Sequence, residues 1–457
     1  MVALNAPYDF ARGHPNPALL PVEEMKELLL SVVEGADIAE GDDDESDFSS
    51  LCLNYGNEAG APMMLKELQS FLYRRTKDDD IGRTYMSDEK HDQGGEDNNG
   101  VALNKFFITH GVSHSIELIC SALTTSGDVV FVERPTYFLV ADIFRSHGLQ
   151  VRGLPMVDPR SNNGAGGIDI NTLVNMTENG KIEPPKIIYL VPTHQNPTGH
   201  TMSVHDRRNL VDYAQRHGVL LFADEVYHLL DWRDEHLHGS RPGRMAQFNK
   251  ATNAGSKEKL GCALSVSSFT KIFAPGVRCG WIEGPEIIIR AITNYGYIQS
   301  QGGLAPFVGD LLMCRALKKK MVDRFLDRLR KSYSERANQL CDILQEDDRI
   351  SLPNGYPSGG YFLWVKLGSV DAKEFLSCCL NGAAAHLGVR FRPGSMCDAF
   401  ADDVQGQAQI SNDAMSGVSA TSFKSYARLC FADLDEGMLE EGARRFIQAF
   451  RIYIDSS

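Results

Sequence analysis

Four short runs in the chain are apolar at consecutive positions: Val129–Glu133 (VVFVE), Lys186–Pro192 (KIIYLVP), Gly218–Glu225 (GVLLFADE) and Cys262–Ser268 (CALSVSS). Consecutive rather than alternating apolar residues are what a strand needs when both of its faces are buried. Helical patterns separate several of them, such as Ser203–Gly218 (SVHDRRNLVDYAQRHG), which opens on a capping hydroxyl and closes on glycine. Strand, helix, strand in this order predicts an α/β fold with a mostly parallel sheet and right-handed crossovers.

The flanks carry a different pattern. Pro21–Gly35 and Asp323–Gln345 read as amphipathic helices, Gly359–Leu367 as a strand, and Asp435–Phe450 as a closing helix. The expected organisation is a large α/β domain over residues 50–315, with a smaller α+β domain from both chain ends, residues 1–49 and 316–457. No internal repeat is present. Three polar stretches, Glu40–Asp47, Arg74–Gly100 and Ala401–Thr421, read as solvated linkers or insertions.

Composition narrows the function. Of 457 residues, 43% are hydrophobic and 23% charged, enough for a large core. The formal charge of -14, from 46 basic and 60 acidic residues, disfavours nucleic acid and anionic membranes as partners. No apolar run approaches the roughly 20 residues that span a bilayer. The first residues, MVALNAPYDF, carry no secretory signal pattern. The ten cysteines are scattered with no C-x-x-C pair, which points to reduced thiols, a cytoplasmic location and no metal site.

In open parallel sheets, ligands gather beyond the carboxyl ends of the strands. There this chain places Asn196 (THQNPTG), Asp224 and Tyr227 (DEVY), Ser268 and Lys271 (SSFTK) with Arg278 seven residues on, Tyr137 (RPTY), and a helix opening at Gly111. A phosphate wants a helix N-terminus, hydroxyls and an arginine. An aldehyde wants a lysine. A pyridine ring used as an electron sink wants a carboxylate at its nitrogen, and a planar ring wants an aromatic face. Pyridoxal 5′-phosphate combines all four.

The chain resembles the fold type I, class I/II aminotransferases over almost its whole length outside the three polar stretches. The resemblance rests on nine stretches in the family's order: YGNEAGAPMMLKEL, ITHGVSHSIELI, VFVERPTY, VPTHQNPTGHTMS, ADEVY, SSFTKIFAPGVRCGW, PSGGYFLWV, VRFRPG and YARLCFA. FARGHPNPALLP, VPTHQNPTG and SGGYFLWV are most similar to the 2-aminoadipate and aromatic (kynurenine-type) branch. The resemblance implies a three-layer α/β/α large domain and a pyridoxal-phosphate transaminase working by a ping-pong scheme with 2-oxoglutarate. It implies that Lys271 bonds the cofactor aldehyde and shuttles the proton, and that Asp224 faces the pyridine nitrogen. Asn196 and Tyr227 would bond the ring oxygen, and Tyr137 would stack on the ring. Ser268, Arg278 and the backbone after Gly111 would hold the phosphate. Tyr55 would reach the phosphate of a neighbouring subunit in a homodimer with shared sites, and Arg428 would clamp the substrate α-carboxylate.

One motif departs from the branch, whose phosphate loop commonly reads Gly-Ser-Gln. Here it reads GVS, so Val112 offers only its backbone amide and Ser113 the hydroxyl. Arg12 and Gly13 (FARGHP) stand where the branch recognises side chains; Arg12 either binds a distal carboxylate or is an ordinary solvated arginine. Each position has a plainer reading: Asp224 as a helix cap, Asn196 as a turn residue, Arg278 and Arg428 as ion-pair partners, Tyr137 and Tyr55 as packing, Gly359-Gly360 as strand shaping. Two other functions share the pattern. A different reaction on the same cofactor, a C–S β-lyase on cysteine conjugates or a decarboxylase, would use the same residues, and release of pyruvate and ammonia without an acceptor marks the lyase. A cofactor-sensing transcription regulator needs an added winged helix and a less acidic surface.

Overall fold

The computed structural model describes residues 6–33, 53–81, 103–157, 167–234, 239–249, 261–400 and 423–456. Seven strands form the main sheet: β1 (Phe106–Thr109), β2 (Val129–Val132), β3 (Gln150–Gly153), β4 (Ile187–Leu190), β5 (Leu220–Asp224), β6 (Ala263–Ser268) and β7 (Gly280–Glu283). Their order is β1-β7-β6-β5-β4-β2-β3. All neighbours are parallel except β7, which runs antiparallel to both β1 and β6.

The consecutive apolar runs have their explanation in this sheet. Val130, Val132, Ile187, Tyr189, Phe222 and Val266 pack into one core. Phe131, Ile188, Leu190, Leu221, Ala223 and Ala263 pack into a second. Alternate residues of one strand point to opposite faces, so a strand with helices on both sides must be apolar throughout. The helix Val204–His217 is capped as the sequence suggests. The Ser203 hydroxyl accepts from the Asp206 amide at 3.1 Å, and Gly218 closes the helix at φ +69°.

A second, antiparallel sheet holds β8 (Ile350–Ser351), β9 (Phe362–Leu367), β10 (Arg392–Pro393) and β11 (Tyr426–Cys430), in the order β8-β9-β11-β10. The start of the chain is stitched to it. Tyr8–Asp9 pairs parallel with Val389–Arg390, and the Cys430 amide donates to the Phe10 carbonyl at 2.9 Å. The long helices Met321–Leu344 and Glu436–Ser456 pack on each other, and the latter runs past the expected end at Phe450.

One polar stretch departs from expectation. Arg74–Thr76 finishes the helix Pro62–Thr76, and the Asp79 side chain is buried, bonded by Arg241 at 2.5 Å and by His228 at 2.8 Å. Arg241 is itself buried, and a buried cation requires a counter-charge. Residues 82–100, Glu40–Asp47 and Ala401–Thr421 lie outside the described residues. No helix of the described residues is long and apolar enough to cross a membrane. Among them no cluster of three metal-ligating side chains occurs, and their nine cysteines are free thiols.

Candidate active site

Parallel strands deliver their carboxyl ends to one rim, and the chemistry-bearing residues follow β4, β5 and β6. Lys271 stands three residues past the end of β6. Its ammonium donates to the Gly13 carbonyl at 2.8 Å and lies 5.0 Å from the Tyr361 ring centroid. Burial lowers its pKa to about 8; the Arg428 cation adds to the shift, while Cys430 and Asp224 oppose it. A lysine so placed spends more of its time as a free amine, the form that attacks a carbonyl.

Asp224 ends β5 and is buried. Burial raises its pKa to about 6 despite the Tyr189 hydrogen bond, the Val226 amide and the Lys271 charge. The Tyr189 hydroxyl donates to Asp224 Oδ2 at 2.8 Å. Sequence reasoning missed Tyr189 as a site residue. Its only signal is a hydroxyl inside an otherwise apolar central strand, where a buried phenol must find a partner.

Asn196 and Arg428 meet across 232 positions of chain: Arg428 Nη1 donates to Asn196 Oδ1 at 2.9 Å. Arg428 Nη2 donates to the Ala11 carbonyl at 2.7 Å, and its guanidinium lies 4.0 Å over the Phe362 ring. The Nε of this buried arginine has no partner among the described residues. Tyr227 is buried against Tyr361 and Phe362, with ring centroids 5.5 and 6.0 Å away. Burial pushes the Tyr227 phenol well above its ordinary value, with the Asp224 charge adding and Arg428 opposing. Tyr137 is half-buried and feels both Asp224 and Arg428.

Beside these residues lies an anion cradle. Gly111, at φ +99°, is the N-cap of the helix Val112–Leu123. A Cβ there would sit 3.4 Å from both Arg278 Nη2 and Ser268 Oγ. The Ser268 and Thr270 hydroxyls are 2.7 Å apart, and Arg278 Nη1 reaches Thr270 Oγ1 at 3.4 Å. Arg278 Nη2 donates to the His110 carbonyl at 3.0 Å. A helix N-terminus, two hydroxyls and a guanidinium around a space without a side chain are a phosphate donor set. Thr270 was missed from sequence, although it stands inside SSFTK. Val112 is half-buried and Ser113 is exposed.

Two expected residues stand apart. Tyr55 is 80% exposed and lines a cavity of about 270 Å³ with His110, Gly303 and Pro306. The Arg12 side chain is 58% exposed, 4.0 Å from the Asp433 carboxylate, while its neighbour Gly13 bonds Lys271. The space at the Gly359-Gly360 pair is occupied by protein. A Cβ on Gly359 would collide with the His194 ring, and that ring is bonded to Asp231 at 2.8 Å.

The donor set fits pyridoxal 5′-phosphate: a lysine amine, a buried carboxylate, an aromatic face and an anion cradle on one rim. The comparisons agree. The family model "Aminotransferase class I and II" matches residues 97–446. An aromatic amino acid aminotransferase of Schizosaccharomyces pombe is 24% identical over 473 residues, covering 97% of this chain and 91% of that one. The α-aminoadipate aminotransferase LysN of Thermus thermophilus, solved with N-(5′-phosphopyridoxyl)-L-leucine, superposes with a TM-score of 0.69 at 21% identity, covering 98% of this chain and 93% of that one. The Pyrococcus horikoshii kynurenine aminotransferase superposes with a TM-score of 0.70 at 23% identity, covering 98% of this chain and 91% of that one. Similar over nearly its full length to these proteins and matched by the family model across its rim, the chain belongs to the class I and II aminotransferases and is a pyridoxal-phosphate-dependent transaminase.

Proposed function

We propose that the protein moves the amino group of an L-amino acid, 2-aminoadipate or an aromatic amino acid, to 2-oxoglutarate in two half-reactions at one site. The observation that carries this reading is a buried lysine, Lys271, with its pKa near 8, within electrostatic reach of the buried Asp224, together with the Gly111 cradle. When bound, the cofactor supplies an aldehyde carbon to take the amino group and a ring to withdraw the electrons released at Cα. Ser268, Thr270, Arg278 and the amide end after Gly111 hold its phosphate. Asp224 keeps a negative charge against the pyridine nitrogen, with Tyr189 orienting it. Asn196 and Tyr227 present polar atoms to the ring oxygen, and Tyr137 covers the ring. Lys271, its amine favoured by burial, would hold the cofactor at its aldehyde carbon and, once free, would carry the proton between the substrate Cα and C4′. Arg428, whose Nε has no partner among the described residues, receives the α-carboxylate.

The same reading makes the protein a homodimer with shared sites. Leu53, Tyr55 and Tyr297 are 81%, 80% and 52% exposed, as befits a surface that a second subunit covers. On this reading the site lies at the seam between residues 50–315 and the two chain ends. The Lys271–Gly13 and Arg428–Asn196 hydrogen bonds cross that seam.

The test is an absorption spectrum of the cofactor-loaded protein titrated with L-2-aminoadipate, L-glutamate and L-kynurenine, with no oxo acid present. Loss of the visible band of the lysine-bound cofactor, with growth of the band of its amino form, is expected. No band after cofactor addition overturns the enzyme reading. A persistent band with pyruvate accumulating from a cysteine conjugate makes the protein a lyase.

A further inference from the structure

Arg428 is not the only arginine at this corner. Arg392 on β10 lies directly opposite it in the pairing of β10 with β11. Residues directly opposite in an antiparallel pair project from the same face, with Cβ atoms about 5 Å apart. The guanidinium of Arg392 stacks 3.9 Å over the ring of Phe138, the residue after Tyr137. Its half-buried side chain therefore projects from the same face of the sheet as Arg428, the proposed α-carboxylate clamp, and touches the neighbour of Tyr137, the proposed ring-covering tyrosine.

Among the described residues Arg392 makes no hydrogen bond or ion pair, and its Nε is buried without an acceptor. Nearby titratable groups are already engaged. Asp9 accepts from the Ala11 amide at 2.9 Å and pairs with Arg390 at 3.5 Å. The Cys397 thiol donates to the Pro393 carbonyl. Burial lowers the Arg392 pKa, Cys397 opposing and the Arg428 and Arg390 cations adding. Two neighbouring guanidinia, each with a buried Nε that no described residue accepts from, form a doubly cationic corner. A fold keeps uncompensated buried charge at a cost that a doubly anionic ligand removes.

We propose that Arg392 is a specificity-determining residue that binds a second carboxylate, at the far end of a substrate whose α-carboxylate lies on Arg428. The inference rests on the transaminase reading above and deepens it: at least one member of the substrate pair is a dicarboxylic 2-amino or 2-oxo acid. The distal carboxylate is received by Arg392, not by Arg12, whose side chain points to Asp433. The Phe138 ring holds the guanidinium plane in place and leaves its edge for the ligand.

The experiment compares the full-length, cofactor-loaded protein with its Arg392→Gln and Arg392→Lys variants. Turnover is measured with one amino donor and either 2-oxoglutarate or pyruvate. Binding of glutarate and of butyrate is measured by calorimetry. The ratio of kcat/KM for 2-oxoglutarate over pyruvate is expected to fall roughly 10- to 100-fold in Arg392→Gln, the range for losing a charge-assisted hydrogen bond, and less in Arg392→Lys. Glutarate affinity should fall by a similar factor relative to butyrate. An unchanged ratio with unchanged glutarate binding overturns the proposal while leaving the transaminase reading intact. Absence of turnover with both acceptors in the unmodified protein overturns that reading instead, and the glutarate arm still decides Arg392. If thermal unfolding shows Arg392→Gln to be misfolded, Arg392→Lys carries the decision by the same two ratios.

Discussion

The Lys271 ammonium donates to the carbonyl of Gly13 at 2.8 Å, joining residues 258 positions apart. That carbonyl is fixed because Gly13 has no room for a side chain: a Cβ would lie 2.9 Å from the Phe362 ring, the same ring that supports Arg428. Lys271, Arg428 and the backbone at Gly13, the groups proposed to hold cofactor and substrate, are one packed unit.

Lys271 in the cofactor-free protein should titrate near pH 8, because burial lowers it from 10.5 to about 8. Its labelling by an amine-directed reagent, followed by mass spectrometry at this one residue, should rise with pH to a midpoint near 8. A midpoint above about 10 contradicts the buried geometry. The folded state holds this proton less tightly than the unfolded chain. The group therefore opposes folding below about pH 8 and ceases to do so above about 10.5.

Asp224→Asn should separate stability from activity. Burial raises Asp224 to about 6, so the carboxylate that is present at neutral pH costs more in the folded protein than in the unfolded chain. The cofactor-free variant should be more stable than the parent by about 1–3 kcal/mol at pH 7. That advantage should shrink as pH falls from about 6 to 3.8, where both states of the parent bind the proton. Transamination should fall at least about 100-fold, since the counter-charge to the ring is gone. Denaturant unfolding and kinetics on one preparation check both halves.

Gly111→Ala should cripple cofactor retention more than folding. The new methyl would enter the cradle 3.4 Å from Arg278 Nη2 and Ser268 Oγ, at a backbone φ of +99°. Backbone strain of about 1–3 kcal/mol lowers the melting temperature modestly. Affinity for pyridoxal 5′-phosphate, read by absorbance titration, should drop roughly tenfold or more, about 1.4 kcal/mol. Unchanged affinity would place the phosphate elsewhere.

Much of the protein was legible in its residues. Ile187–Leu190 and Leu220–Asp224 announce doubly buried strands because both faces of the sheet exclude water, a property that each strand carries locally. Ser203 and Gly218 mark a helix by the same local logic. Lys271, Asp224 and Asn196 stand out because each follows a strand at its carboxyl end, where the fold class alone puts ligands.

What the tertiary structure decided is every relationship that depends on register and packing between distant segments. Thr270 enters the cradle through its hydrogen bonds to Ser268, and Arg278, at φ +53°, reaches back to it. His194 fills the space over Gly359 and Gly360, a contact that no motif implies. Arg392 stands beside Arg428 through the pairing of β10 with β11, and a slip of one residue would turn its side chain to the opposite face. Asp79 becomes a buried counter-ion within a stretch that reads as solvated. Local patterns determine which residues form strands and which stand at their ends. The free energy of burying and pairing charges across hundreds of positions determines which of those residues meet.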